Sequence, residues 1–467
     1  MTRRLVVVGD TLLDRDVDGT ARRVSPDAPA LVLDEESTVD RPGGAGLAAV
    51  LAAADGLEVT LVTALADDAG GLRLAALLAE AGVRLHAVNL PGATPEKVRL
   101  RARGQVLLRL DRGGREPAPP QDPEHLDALF AGADAILVSD YGRGLTGRPG
   151  LRAALGATGT PIVWDPHPRG AAPVAGVRLA TPNEAEARLL SDDAGGGGRI
   201  AATTRAGQEL RRRWRAGAVV VTTGAAGAVL CHAGPTPLVV PTAQVAEGDT
   251  CGAGDRFAAA AAAALADGAL PSEAVAAAVA AATAYVARSA QPAHSAGPGG
   301  GRGTGPAGGS AAAHEVVARV RAAGGTIVAT GGCFDLLHAG HVATLEAARA
   351  LGDCLIVCLN SDTGVRALKG PDRPVNPEAD RKRLLSALAS VDAVVVFDEP
   401  TPEATLSWLR PDIWVKGGDY ADGGPALPEA ELVRQWGGQT VIVPYLDGRS
   451  TTKLISTARS SSSGGTA

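Results

Sequence analysis

The sequence predicts an α/β fold of two doubly wound domains, each built on a mainly parallel sheet. Three observations predict it. Short β-branched runs alternate with alanine- and leucine-rich amphipathic segments from end to end. Two glycine-bearing turns, at 249–255 and 330–341, each open a helix. Between them, one stretch of Gly, Pro, Ala, Ser and Thr interrupts the pattern.

In chain order, the buried-strand candidates are Leu5–Val8, Val59–Thr63, Ala135–Ser139, Pro161–Trp164 and Val219–Thr222. After the interruption come Thr326–Ala329, Cys354–Leu359, Ala393–Phe397, Ile413–Val415 and Thr440–Val443. Residues 1–290 therefore read as one domain, 291–313 as a flexible linker, 314–459 as a second domain and 460–467 as a disordered tail. Four consecutive glycines place a surface loop at Ser191–Arg199, and no internal repeat is visible.

Composition excludes several classes. A net charge of −6 provides no basic field for nucleic acid or an anionic membrane, and 3% aromatic residues leave little for base stacking. The five cysteines are odd in number and lack CxxC spacing, which argues against zinc and for a reducing cytosol. Cys354 and Cys358 fall within one apolar run and read as small core filler. The N-terminal apolar run is four residues long and ends at Gly9-Asp10, a first strand rather than a signal peptide. The alanine-rich stretches Phe257–Ala266 and Val275–Ala287 are shorter than the roughly 20 residues a membrane span needs. A soluble cytoplasmic protein is expected.

In Asp249-Thr-Cys-Gly-Ala-Gly-Asp255, Gly252 and Gly254 permit a tight turn into a helix-forming alanine run. The N–H groups of Gly252, Ala253 and Gly254 would then face an anion, and Asp255 would take a proton from an attacking hydroxyl. The plainer reading is a helix cap at Asp249 or Thr250. This motif resembles the DTxGAGD signature of the ribokinase-like (phosphofructokinase-B) sugar kinases, and the likeness covers residues 3–290. It implies Asp14, in an early substrate loop, as a ligand of sugar hydroxyls, and Gly43 and Gly44, in a second loop, as the place where sugar approaches backbone. Within Thr181-Pro-Asn-Glu-Ala-Glu186 it implies Asn183 and Glu186 as residues ordering Mg²⁺ through water. Thr223-Gly-Ala-Ala-Gly227 would lie by the nucleotide, with Gly224 and Gly227 as ATP-site residues. Asp140, in Ser139-Asp-Tyr-Gly-Arg-Gly144, is implied as a substrate contact. Lys97, Arg99, Arg101 and Arg103 alternate with apolar residues, so a strand would put all four on one face. That face reads either as a lid gripping a remote phosphate, with Lys97 and Arg99 in contact, or as the wet face of an edge strand. One departure stands out: Leu47 occupies the slot where relatives carry an asparagine.

In Thr330–His341, His338 and His341 stand at i, i+3 on an expected first helical turn beginning near His341. Histidine donates hydrogen bonds and carries charge near neutral pH, which suits an α-phosphate and leaving pyrophosphate. A zinc pair or a packed histidine are the plainer readings. The segment resembles the HxGH nucleotidyltransferases of the cytidylyltransferase-like branch over Gly325–Ser456, with Rossmann-like architecture implied. The resemblance implies Phe334 as a nucleotide contact, Lys369 and Lys416 as phosphate clamps, and Ser450, Thr451 and Thr452 as a loop closing on the triphosphate.

Both halves in this order resemble the bifunctional heptose 7-phosphate kinase / heptose 1-phosphate adenylyltransferases. The implied cofactor is Mg²⁺ with ATP as co-substrate, and the implied partners are sugar phosphates. A homodimer through the kinase lid is a further implication. Two alternatives remain open: another sugar or polyol phosphate, or another nucleoside triphosphate, on the same architecture; and an inactive sugar-nucleotide-binding scaffold.

Overall fold

The computed structural model describes residues 2–25, 27–113, 122–193, 195–196, 198–242, 248–289, 309–418 and 428–444. Contacts divide the chain into two units. The first is Met1–Asp192, Ala206–Thr222 and Ala246–Gln291; the second is Asp193–Arg205, Thr223–Val245 and Pro292–Ala467.

The first unit carries β1 (Arg4–Gly9), β2 (Thr11–Val24), β3 (Leu31–Gly44), β4 (Glu58–Leu65), β5 (Arg84–Asn89), β6 (Glu96–Ala102), β7 (Gln105–Arg112), β8 (Ala135–Ser139), β9 (Ile162–Asp165), β10 (Leu179–Ala180) and β11 (Ala218–Thr222). Seven of these form a wholly parallel sheet in the order β11-β10-β9-β8-β1-β4-β5. Its central strands are the apolar runs of the sequence because both their faces are covered: Val6–Val8 and Ile136–Val138 are buried, each side chain contributing about 1.5–3 kcal/mol. The remaining four make a smaller sheet, β3-β2-β6-β7.

This smaller sheet corrects three expectations. The two "substrate loops" around Asp14 and Gly43 are strand ends, paired antiparallel with Leu12 opposite Gly43 and Asp14 opposite Arg41. β6 lies between β2 and β7, so it is not an edge strand; the edges are β3 and β7, and every residue of β7 is exposed. Arg103 has left β6 for the turn to β7, where its φ is 51°, so three cations rather than four share the strand face.

The second unit carries β12 (Ala228–Cys231), β13 (Leu238–Val240), β14 (Ile327–Gly332), β15 (Cys354–Asn360), β16 (Ala393–Phe397), β17 (Ile413–Gly417) and β18 (Gln439–Val443), in the order β16-β15-β14-β17-β18-β13-β12. All neighbours pair in parallel except β12 with β13. Cys354 and Cys358 are buried within β15, as small apolar filler would be. The doubly wound α/β architecture expected of both halves is present.

The helix Gly309–Ala322 begins inside the segment expected to be linker, so 309–313 are helical. The rest of the expected linker, apart from 309–313, and the expected tail lie outside the described residues. No described helix is long and apolar enough to cross a membrane.

Candidate active sites

In the first unit the chain runs from β1 outward to β4 on one side and later returns to β8 on the other. Parallel strands that diverge in this way open a crevice beyond their carboxyl ends. Those ends are Gly9-Asp10 and Ser139-Asp140, and they are so close that a Cβ on Gly9 would lie 1.9 Å from the Ser139 carbonyl oxygen. Asp10 accepts hydrogen bonds from the N–H groups of Arg143 (2.9 Å), Tyr141 (3.3 Å) and Leu145 (3.4 Å). Asp140 accepts from Gly142 N–H and Thr146 Oγ1, both at 2.7 Å. Burial raises both carboxyl pKa values. The implied substrate contact Asp140 is thus occupied in shaping a loop, and what that loop delivers is Tyr141.

The Tyr141 hydroxyl donates to the Asp255 carboxylate, 2.9 Å from each oxygen. Asp255 lies in the first turn of the helix Ala253–Ala266, whose N-cap is Gly252 at φ 82°. Burial pushes its pKa up to about 7, against the opposing Tyr141 hydrogen bond and the Lys97 charge. A base poised near neutrality suits proton abstraction from a hydroxyl. The N–H of Ala253 already donates to Thr250 O at 3.1 Å, so donation to an anion falls first to Gly252 and Gly254. Gly252 has no room for a side chain: a Cβ would meet Leu47 Cδ2 and Tyr285 Oη, each at 2.8 Å. Leu47, the departure seen in the sequence, therefore packs against this glycine turn itself.

The cation row of β6 faces an acid row on β2, with Asp14, Asp16 and Asp18 in register with Lys97, Arg99 and Arg101. Arg99 Nη1 donates to Asp14 Oδ1 at 2.8 Å, and Arg99 Nη2 lies 3.6 Å from Cys251 Sγ. Asp16, 4% exposed, is reached by Arg41, Arg99 and Arg101. Lys97 Nζ sits 5.3 Å over the Tyr141 ring, its pKa lowered by desolvation. Gly43 exists to admit Asp14: a Cβ there would be 2.4 Å from Asp14 Oδ2. Gly44 (φ 62°) likewise has no room for a side chain: a Cβ would lie 2.5 Å from the Asp10 carbonyl oxygen and 3.3 Å from the Tyr141 ring.

Asn183 and Glu186 form a reciprocal capping box, each side chain accepting the other's backbone N–H at 2.9 Å. Each oxygen so used is taken from any ligand, but the second Glu186 oxygen is a hard donor of the kind that orients the waters of Mg²⁺. Asp165, to which the sequence assigned no role, belongs nearby: burial first, then the charges of Asp255 and Glu186, hold its carboxyl well above the usual range. Gly224 (φ 63°) and Gly227 (φ 99°) fall in the second unit, where a Cβ on Gly227 would lie 2.0 Å from Val240 O.

The second unit repeats the switch-point geometry between β14 and β17. Gly331 and Gly332 end β14 where side chains would strike the Trp414 ring (2.8 Å) and the Phe334 ring (3.1 Å). Phe334 takes φ 44°, a left-handed conformation unusual for a bulky residue and typical of functional turns. The helix runs Ala339–Arg349 with His338 as N-cap, two residues ahead of the expected start. That shift puts His341 in the first turn, and the two imidazoles stack with centroids 3.9 Å apart and planes 25° apart. Phe334 lies 5.2 Å from His341. Burial, then the His338 neighbour, lower the His341 pKa to about 4. The expected charge on this histidine is thereby corrected: at neutral pH it is an uncharged donor. Accordingly, His341→Gln, which keeps a neutral donor, should retain more turnover at this site than His341→Ala, which should lose about 10²–10³-fold in kcat; equal losses would remove the donor role.

Lys369 is exposed at the end of the helix Asp362–Lys369, near enough to Cys333 for its charge to oppose the burial-raised thiol pKa. Lys416 differs from expectation, since its Nζ is paired with the buried Glu429 carboxylate at 2.9 Å and lies 5.2 Å over Trp414. A clamp function for Lys416 requires sharing it with Glu429. Arg381 is fully buried. It donates to the carbonyls of Cys333 (2.7 Å), Asn360 (2.8 Å) and Asn376 (3.0 Å) and to Asp362 (2.7 Å). Asp335, 2% exposed, accepts from Arg373 and from the N–H groups of Val375 (2.7 Å) and Asn376 (3.0 Å). Ser450, Thr451 and Thr452 lie outside the described residues.

Comparison with known proteins agrees with this division of labour. The family model described as pfkB family carbohydrate kinase matches residues 2–293, and the model described as Cytidylyltransferase-like matches 329–454. "Bifunctional protein HldE" of Streptomyces coelicolor is 54% identical over 455 residues, covering 97% of this chain and 96% of that protein. Proteins of the same name from Alkalilimnicola ehrlichii and Nitrosococcus oceani are 39% and 37% identical, covering 97% and 98% of this chain and 96% and 97% of those proteins.

Proposed function

The chain belongs to the family of bifunctional HldE proteins, a carbohydrate kinase joined to a nucleotidyltransferase, and on that footing we propose that it acts twice on one heptose. The first reaction is phosphorylation of D-glycero-D-manno-heptose 7-phosphate by ATP at O1, giving the 1,7-bisphosphate. The second is adenylyl transfer from ATP to heptose 1-phosphate, giving ADP-heptose and pyrophosphate. The observation that carries the first reaction is Asp255: a buried carboxylate with a pKa near 7, one helical turn behind a glycine anion turn.

In this reading the O1 hydroxyl loses its proton to Asp255 as it attacks the γ-phosphorus. The N–H groups of Gly252 and Gly254 meet the growing charge. Asp14 receives sugar hydroxyls, while Lys97 and Arg99 face the distal phosphate. Asn183 and Glu186 would order Mg²⁺ through water, Glu186 by its second oxygen and Asn183 by holding that side chain with its N–H, and the ion would neutralise phosphate charge. In the second reaction, a sugar phosphate oxygen attacks the α-phosphorus of the second ATP. His338, His341 and the helix N-terminus stabilise the charge, Lys369 receives phosphate, and no protein nucleophile is required. We place the protein in the cytoplasm, and the exposed Val106, Leu107, Leu108 and Leu110 of β7 support pairing of two copies through the lid.

The kinase should follow Asp255 in its pH dependence. A base with a pKa near 7 is protonated below it, so kcat/KM should be level above about pH 8 and fall about tenfold per unit below about pH 6. A flat profile from pH 5 to 8 would contradict the assignment.

Leu47 favours a second reading of substrate only, because an apolar side chain stands against the anion turn where a polar one would reach the sugar. ³¹P NMR of the purified chain with ATP and heptose 7-phosphate, beside a panel of hexose and pentose phosphates, tests both. Silence on the heptose with turnover of another sugar phosphate would transfer the assignment to that sugar.

A further inference from the structure

The Tyr141–Asp255 contact is the least expected feature of the kinase site. A general base must lie within hydrogen-bond reach, about 2.6–3.2 Å, of the proton it removes. Tyr141 Oη lies 2.9 Å from both oxygens of that base, the place an attacking hydroxyl would take. The phenol is itself a poor acceptor of phosphate, since burial and then the Asp255 charge push its pKa well above the ordinary 10. It is also firmly seated: Lys97 covers the ring, the ring passes 3.3 Å from where a Cβ on Gly44 would lie, and the Asp10 carboxylate accepts from the N–H groups of Tyr141 and Arg143.

Any sugar kinase of this design risks wasting ATP on water. An unoccupied base beside an anion turn could deprotonate a water molecule as readily as a sugar. The water oxygen would bond to the γ-phosphorus, the bridging bond to ADP would break, and the water proton would pass to Asp255, releasing ADP and inorganic phosphate.

Building on the kinase reading above, we propose that Tyr141 is a positioning residue that occupies Asp255 until sugar arrives and so suppresses hydrolysis of ATP. When sugar binds, its hydroxyl takes one carboxylate oxygen while Tyr141 keeps the other and holds the carboxylate in line. The charged and titratable groups facing Asp255 besides Tyr141 are Lys97 and Asp14 from the lid, Asp165 at the end of β9, and Cys251 and Tyr285 beside the turn.

Tyr141→Phe tests this, because it retains the ring and its Lys97 contact while removing only the hydroxyl. ADP release is measured in the full-length protein with ATP and Mg²⁺, with and without sugar phosphate. Sugar-independent release should rise about tenfold or more over wild type, within the range a freed general base supplies. The acid limb of sugar phosphorylation should also move to higher pH, since the hydrogen bond that opposes burial is gone. Tyr141→Leu, which also empties the ring's seat, should raise sugar-independent release at least as much. Unchanged sugar-independent release in both variants, with wild-type kinase active, would overturn the guard role. A wild-type protein that phosphorylates no sugar would instead overturn the kinase reading.

Discussion

Replacing Asp255 by asparagine should lower sugar phosphorylation about 10²–10⁴-fold while leaving adenylyl transfer to sugar 1-phosphate unchanged. The size follows from removing proton abstraction. Stability should move the other way. The carboxyl pKa is raised from 3.8 to about 7 by burial, so ionisation in the folded state costs stability that accumulates as pH rises from about 4 to about 7. Asparagine never carries that charge. The variant should therefore melt at higher temperature than wild type at pH 8, with the gap shrinking towards pH 4. An inactive variant that also melted lower at pH 8 would point to damage rather than to loss of a base.

Arg381→Met should cost the second unit about 3–5 kcal/mol and abolish adenylyl transfer at 37 °C. Three carbonyls and Asp362 would lose their donor in a fully buried position, leaving the turn after β14 untied from the segments following β15 and preceding Arg381. Arg381→Lys should recover little, because an ammonium cannot reproduce the planar fork that reaches four oxygens in different directions. Trp408, Trp414 and Trp436 all belong to this unit, so denaturant titration followed by tryptophan fluorescence should register the loss. A midpoint within experimental scatter of wild type would mean that the surrounding loops hold themselves.

Much of the kinase fold was legible because its parallel strands are buried on both faces and therefore appear as uninterrupted apolar runs, Leu5–Val8 and Ala135–Ser139 among them. The lid was not. β2 and β3 carry Asp, Glu, Arg, Gly and Pro throughout, and they are held by backbone pairing and cross-strand ion pairs such as Arg15–Asp40 and Arg99–Asp14, which leave no hydrophobic period to read. The Gly43, Gly44 and Gly252 positions were visible as motif letters, yet the reasons for them are contacts with Asp14, Tyr141, Leu47 and Tyr285 from distant parts of the chain.

The sequence by itself determined the two α/β folds, their order and the two glycine turns, and it singled out Asp255, His338 and His341 as candidates, because these depend on local periodicity and residue type. Tertiary structure alone decided the raised pKa of Asp255 and the lowered pKa of His341, the hydrogen bond of Tyr141 to Asp255, the pairing of Lys416 with Glu429 and the burial of Arg381. Each of these depends on desolvation and on charges brought together from remote segments, and neither quantity exists until the chain has folded.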